Sequence, residues 1–338
     1  MNYNDTSVEY INKMYRYMKN DMPVESFMSK FGIHNKAELD GLMELCKLYG
    51  KDIDIVEVNG VLVFKRNYTR GVTPAKLDIH SPKINHHQIC VVSDTHLGNN
   101  QQQLHLLNEI YQEAYNRGIR TVLHIGDVTD GLYFERKESP RLRFLHSFDE
   151  IANYVVDMYP RVDGIETVYI LGSHDETYYK NGGATLNNFI SHCRKDMIFA
   201  GQDFGRFFLD KVEYDMDHPG GGKQKSVSYS LQMRVEALES HHKPQVLLVG
   251  HYHGSYHMNY RNVEAIMVPA LCGKTQFQQK KGLWNDVGAY FLDVYSDEKG
   301  NIVYFEAEEV LFDQKDLWDE AGKDKNKVKK LEIKDSIY

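Results

Sequence analysis

Apolar and polar positions follow different patterns in successive stretches of the chain. From Val8 to Lys65 the spacing is first helical and then extended. Val24 to Phe31 carries Phe27, Met28 and Phe31 at helical spacing. Asn35 stands as an N-cap before Ala37–Tyr49, whose Leu39, Leu42, Met43, Leu45 and Leu48 form an apolar stripe that Gly50 ends. Ile53–Val58 and Val61–Phe64 read as strands, and the Asn59-Gly60 between them predicts a tight hairpin because both residues tolerate positive φ. Residues 71–86 hold Gly71, Pro74 and Pro82 without periodicity and read as a linker. Between residues 87 and 312 strands alternate with helices. Gln88–Ser93, Thr121–Ile125, Glu166–Leu171 and Val246–Val249 are the strand candidates, and Leu104–Arg117 and Phe144–Met158 are helices. The charge-dense end, residues 313–338, reads as a mobile tail.

Helices followed by a two-stranded wing resemble a winged helix-turn-helix, so residues 1–70 are expected to form a small winged-helix-like domain. That stretch holds ten Lys/Arg and ten Asp/Glu, giving no net field for phosphates, and leaves protein interaction or dimerisation as an equal alternative to DNA binding. The whole chain has a formal charge of −8, which excludes a globally basic, DNA-coating protein. No apolar run is long enough to span a bilayer, and the N-terminus lacks the apolar core of a signal peptide. Cys46, Cys90, Cys193 and Cys272 are far apart without C-x-x-C spacing, so the expected setting is a reducing cytoplasm.

The chemistry lies where strands end. Ile89–Val92 delivers Ser93-Asp94-Thr95-His96, and Val122–Ile125 delivers Gly126-Asp127. Val168–Leu171 delivers Gly172-Ser173-His174-Asp175, and Tyr214–Met216 leads to Asp217-His218 and three glycines. Val246–Val249 delivers Gly250-His251-Tyr252-His253. Each piece alone is more often a turn or a cap. All five in this order, at the edge where open α/β sheets place ligands, point to one site.

This order resembles the calcineurin-like metallophosphoesterases across Cys90–His253, with the break-repair exonucleases nearest in motif order. The resemblance implies an α/β fold, a two-sheet β-sandwich flanked by helices in four layers, spanning residues 87–312. It also implies that Asp94, His96 and His253 hold one metal, that Asp127 bridges, and that His218, His251 and Ser173 serve a second. His174 is then the general acid, with Asp175 orienting it. Ser173, a shorter and poorer ligand, stands where the family has Asn. Two divalent ions are implied; imidazole and carboxylate donors suit Mn²⁺ first, with Fe, Zn or Ni as alternatives.

The expected substrate is a phosphodiester in nucleic acid. Arg141 and Arg143 in the basic stretch from Arg136, and Lys223 beside the glycine run, are the candidate substrate contacts. Tyr133, Tyr178, Tyr179, Tyr252 and Tyr256 are candidate base-stacking residues. Competing readings are a nucleotide phosphatase or cyclic-nucleotide phosphodiesterase, and a non-catalytic DNA-binding or scaffold protein with a relict metal site. A homodimer is left open.

Overall fold

The computed structural model describes residues 8–49, 51, 53–66, 83–134, 141–222, 226–239, 243–313 and 332–333. The chain divides into two compact units, Met1–His80 and Ser81–Tyr338.

In the first unit three helices, α1 (Val8–Tyr17), α2 (Val24–Phe31) and α3 (Lys36–Leu48), precede a hairpin of β1 (Ile53–Val58) and β2 (Val61–Arg66). The Asn35 side chain accepts from the Glu38 N–H and starts α3. Asn59 and Gly60 both have positive φ and let Val58 pair with Val61, as a tight hairpin requires. Ile11, Met18, Phe27, Leu42, Ile53 and Phe64 close a separate small core.

The second unit is built, among the described residues, on two sheets. The first orders as β14-β13-β3-β4-β6-β7, with β3 (Asn85–Val92), β4 (Thr121–Ile125), β6 (Glu166–Leu171), β7 (Met197–Gln202), β13 (Gly288–Ser296) and β14 (Ile302–Leu311). The second orders as β11-β12-β10-β9-β8, with β8 (Phe204–Leu209), β9 (Val212–Asp217), β10 (Val246–Val249), β11 (Tyr256–Tyr260) and β12 (Val263–Met267). Alternation along each strand sorts side chains into layers. Ile89, Val91, Leu123 and Ile125 meet Tyr214, Met216, Val246 and Leu248 between the sheets. Cys90, Val92 and Val122 face the other way, against α4 (Leu104–Asn116), α5 (Phe148–Met158) and α7 (Leu186–Cys193). Leu247 and Val249 pack under α8 (Val227–Ala237). Helix, sheet, sheet and helix thus stack as four layers. Short helices α6 (Thr177–Gly182) and α9 (Gln276–Lys280) lie in loops.

Two expectations are corrected. The helix read from Phe144 begins at Phe148, because the Ser147 hydroxyl accepts from Glu150 N–H while the Glu150 carboxylate takes the Ser147 N–H, a capping box that stops the helix there. The tail is also not wholly unpaired: Glu332–Ile333 forms β15, parallel to β5 (Arg161–Val162). Most of the linker and of the tail, with Arg136, Lys137 and Lys223, lie outside the described residues. The four cysteines are unpaired. No helix among the described residues is long and apolar enough to cross a membrane.

Candidate metal centre

β3, β4 and β6 run parallel, as do β9 and β10, so their C-terminal ends open on one edge. Fully buried apolar strands carry the chain to that edge and then turn it sharply. Asp94, His96, Asp127, His251 and His253 all have φ between 43° and 70°. A side chain held in this left-handed region costs about 1–3 kcal/mol, and such strain concentrates at functional sites. Backbone bonds impose it: Asp94 N–H donates to the Gly126 carbonyl at 3.0 Å, and His96 N–H to the Asp127 carbonyl at 3.1 Å. Two glycines make room. A Cβ on Gly126 (φ +83°) would lie 2.4 Å from His218 Nδ1, and one on Gly172 would lie 2.3 Å from Asp127 Oδ1.

Three overlapping donor groups result: Asp94, His96 and His253; Asp127, His218 and His251; and His96, Asp130 and His174. Asp94 Oδ1 lies 3.2 Å from His253 Nε2 and 3.7 Å from His96 Nε2, and the two imidazole nitrogens are 3.1 Å apart. Asp127, His218 and His251 form the second group, with His218 Nε2 3.0 Å from Asp127 Oδ2. The donors fit cations by a direct criterion. Asp94 Oδ1 and His218 Nε2 are fully buried without a hydrogen-bond partner, although buried polar atoms are almost always satisfied. The ring proton of His218 is held on Nδ1 by the Ile125 carbonyl at 2.7 Å, which aims Nε2 at Asp127. That of His251 is held on Nε2 by the Gly221 carbonyl at 2.7 Å, leaving Nδ1 as its donor atom.

Electrostatics follow the same grouping. Burial works to raise the Asp94 carboxyl, but the His253, His96 and His218 imidazoles outweigh it and hold it well below the carboxylate range. Asp127 is likewise driven down against burial by His218 and His174. Burial opposes charge on His218, yet Asp127 overcomes it and pushes the ring up to about 10. For His174 and His251 burial prevails and lowers both.

His174 stands outside the two triads of Asp94 and Asp127 and belongs to the third, with His96 and Asp130. Its backbone N–H donates to Asp127 Oδ1 at 2.8 Å, and its Nδ1 donates to the Asp130 carbonyl at 2.8 Å, so Nε2 is the free end of the ring. A cavity of about 510 Å³ opens on His174, His96, His251 and His253. Tyr133, Leu142, Tyr252, Phe277 and Leu283 wall it, with Lys281 at its margin. The Tyr133 ring stands edge-on to His174 at 4.8 Å.

The remaining expected residues fall differently. Asp175 does not meet the His174 ring. Its buried carboxylate accepts from Val128 N–H (3.0 Å), Thr129 N–H (2.9 Å), Thr129 Oγ1 (2.6 Å) and Gly172 N–H (3.0 Å), tying the loops after β4 and β6 together. The group that holds His174 is Asp130, whose carboxylate also approaches His96 Nδ1 at 3.5 Å and accepts from Asn99 at 2.9 Å. Arg143, expected at the substrate, is 6% exposed and donates to the Gly131 carbonyl, so its guanidinium faces inward and braces the Asp130 loop. Arg141 is exposed beside Leu142. Ser173 is half-buried, and its hydroxyl makes no hydrogen bond among the described residues. Tyr178 is a core residue bonded to Thr129, while Tyr179 and Tyr256 are exposed. Asn285 and Gln278 carry no motif, and Asp130 is marked in the chain only by following Asp127 after the same strand.

The family model for calcineurin-like phosphoesterases matches residues 87–283. Among solved structures the chain is similar to an archaeal phosphodiesterase at 14% identity and a TM-score of 0.39, over 67% of this chain and 99% of that one. It is similar to zinc-bound Vps29 from Entamoeba histolytica at 13% identity and a TM-score of 0.28, over 67% and 99%. A 5′-nucleotidase precursor from Thermus thermophilus aligns at 13% identity and a TM-score of 0.35, over 70% and 56%. No curated protein matches the sequence.

Proposed function

Because the chain belongs to the calcineurin-like phosphoesterase family and is a metal-dependent phosphoesterase, we propose that it hydrolyses phosphodiester bonds in nucleic acid. Asp94, His96 and His253 hold one divalent ion in this reading, and Asp127, His218 and His251 a second. Manganese is the first choice, and iron, zinc or nickel suit the same donors. Bound ions would draw electron density from the phosphoryl group and acidify the attacking water.

The chain's own residues do the rest. In its imidazolium form His174 keeps the Nδ1 proton on the Asp130 carbonyl and presents Nε2–H to the leaving oxygen; that proton passes to the oxygen as the P–O bond breaks, leaving the ring neutral. The observation that carries the choice of substrate is the cavity beside it. Its volume of about 510 Å³ suits a nucleotide, and Tyr133 and Phe277 offer rings on which bases of any sequence can stack, whereas Tyr252 is buried in the core under α8. Lys281 supplies a cation at the margin for a neighbouring phosphate. The three helices and hairpin of the first unit share the element order of a winged helix, which favours a polymer over a free nucleotide.

The test is hydrolysis of linear DNA, RNA, cyclic nucleotides and p-nitrophenyl esters, with Mn²⁺ and again after exhaustive EDTA treatment. Cleavage of a polymer that is lost on chelation and restored by Mn²⁺ is expected. Phosphate release from mononucleotides with polymers left intact would replace this reading by a nucleotide phosphatase. Ion binding without turnover of any substrate would favour a relict site.

A further inference from the structure

We infer that Asn285, with Gln278 behind it, is a positioning residue that sets the tautomer and direction of His253 and thereby the strength of one metal site. The observation is a circuit of polar groups packed on the far side of the His253 ring. His253 Nδ1 lies 2.8 Å from Asn285 Oδ1 and 3.0 Å from Gln278 Nε2, and Gln278 Nε2 lies 3.1 Å from Asn285 Oδ1. Asn285 Nδ2 lies 2.9 Å from the Cys272 carbonyl.

The donor directions in this circuit follow by elimination. The Cys272 carbonyl can only accept, so the amide nitrogen of Asn285 faces it and the amide oxygen faces His253. At the other end, Gln278 Oε1 accepts from the Thr275 N–H at 2.8 Å, so the Gln278 NH₂ faces Asn285 and His253. Asn285 Oδ1 has no proton to offer. A bare Nδ1 could accept from the Gln278 NH₂ at 3.0 Å only by setting its lone pair against Asn285 Oδ1 at the shorter 2.8 Å, so Nδ1 carries the proton and donates it to Asn285 Oδ1. The Gln278 NH₂ then donates to the same oxygen, which has a second lone pair. With the proton fixed on Nδ1, His253 keeps its Nε2 lone pair for the buried, partnerless Asp94 Oδ1 side of the site, 3.2 Å away.

The surrounding chain holds the circuit rigid. Thr275 and Gln278 form a capping box that fixes α9, and the Asp286 N–H donates to the His253 carbonyl at 2.9 Å. Gln278 also lines the cavity, so this circuit lies between the substrate space and the ligand ring.

The experiment is calorimetric titration of the metal-free full-length protein with Mn²⁺, in wild type and in Asn285→Leu, Asn285→Asp and Gln278→Leu. Partners behind a ligating histidine are usually worth about 10–100-fold in metal affinity. Asn285→Leu is expected to weaken one of two binding events by that factor and leave the other unchanged. Asn285→Asp restores an acceptor at Nδ1 and should recover most of the loss. Gln278→Leu should weaken the same event by less, and it carries the test if the leucine variant does not fold. The inference is overturned if both events weaken together, if neither does, or if aspartate rescues no better than leucine. It is independent of the substrate: failure of wild type to take up any ion would sink the metal centre itself, a different result from an unselective variant.

Discussion

Replacing Asp175 by Asn separates two roles for one carboxylate. As an orienter of His174 it would affect rate and leave stability alone. The structure makes it instead a clamp taking three backbone N–H groups and one hydroxyl from two loops. An Asn side chain of the same shape can keep its oxygen on the Thr129 N–H and hydroxyl. Its NH₂ must then face the N–H groups of Val128 and Gly172, each 3.0 Å away, and neither has water to turn to in a site 2% exposed. Two unsatisfied buried donors cost about 1–3 kcal/mol each. Burial and repulsion from Asp127 already push the Asp175 carboxyl up to about 6, so removing its charge returns part of that cost. The two donors cost about 2–6 kcal/mol together and about 3 kcal/mol is returned, so a net loss of up to about 3 kcal/mol remains, which for a unit of this size lowers the melting temperature by up to roughly 12 °C. The assay is thermal and urea unfolding of the metal-free protein at pH 8, where the wild-type carboxyl is ionised. Wild-type stability combined with a large fall in rate would refute the clamp and restore the orienting role.

Two further outcomes follow from the same geometry. His174→Ala should bind both ions as wild type does, since its ring lies outside the two triads of Asp94 and Asp127 and its Nδ1 is engaged by the Asp130 carbonyl, while the rate on an ester with a poor leaving group falls by roughly 10²–10⁴-fold; metal analysis showing a lost ion would make it a ligand through the group it forms with His96 and Asp130. Ser173→Asn should tighten one metal-binding event in a calorimetric titration by adding an amide oxygen, whereas Ser173→Ala should change little because the hydroxyl has no partner among the described residues; an alanine variant unable to bind a second ion would show Ser173 to be a ligand.

Much of the donor set could be read from the chain because its chemistry is local. An apolar run ending in Asp-x-His or Gly-Asp states both the strand and the turn, and the strand's burial forces whatever follows it to the sheet edge. The hairpin at Asn59-Gly60 and the cap at Asn35 were legible for the same reason: one or two residues decide the backbone there. The start of α5 was missed despite a local signal, since the apolar Phe144 and Leu145 extended the helical pattern past the Ser147 cap.

What the sequence did not disclose are the partners behind the donors, and these are set by which loops fold together. Asp175 adjoins His174 in the chain, yet its carboxylate reaches the loop after β4, because Gly172, Val128 and Thr129 present N–H groups there and the His174 ring turns to Asp130. Arg143 looked like a phosphate contact because it sits in a basic stretch, but the carbonyl of Gly131 needed a donor inside the fold. Asn285 and Gln278 carry no motif; only the closing of α9 over the cavity brings them to His253. The strain at Asp94, His96, Asp127, His251 and His253 connects the two levels. Five side chains in the left-handed region cannot be held by their own residues, so the clamps and outer hydrogen bonds must supply what local preference withholds. A substitution in those partners therefore acts on the metal centre while touching no donor atom.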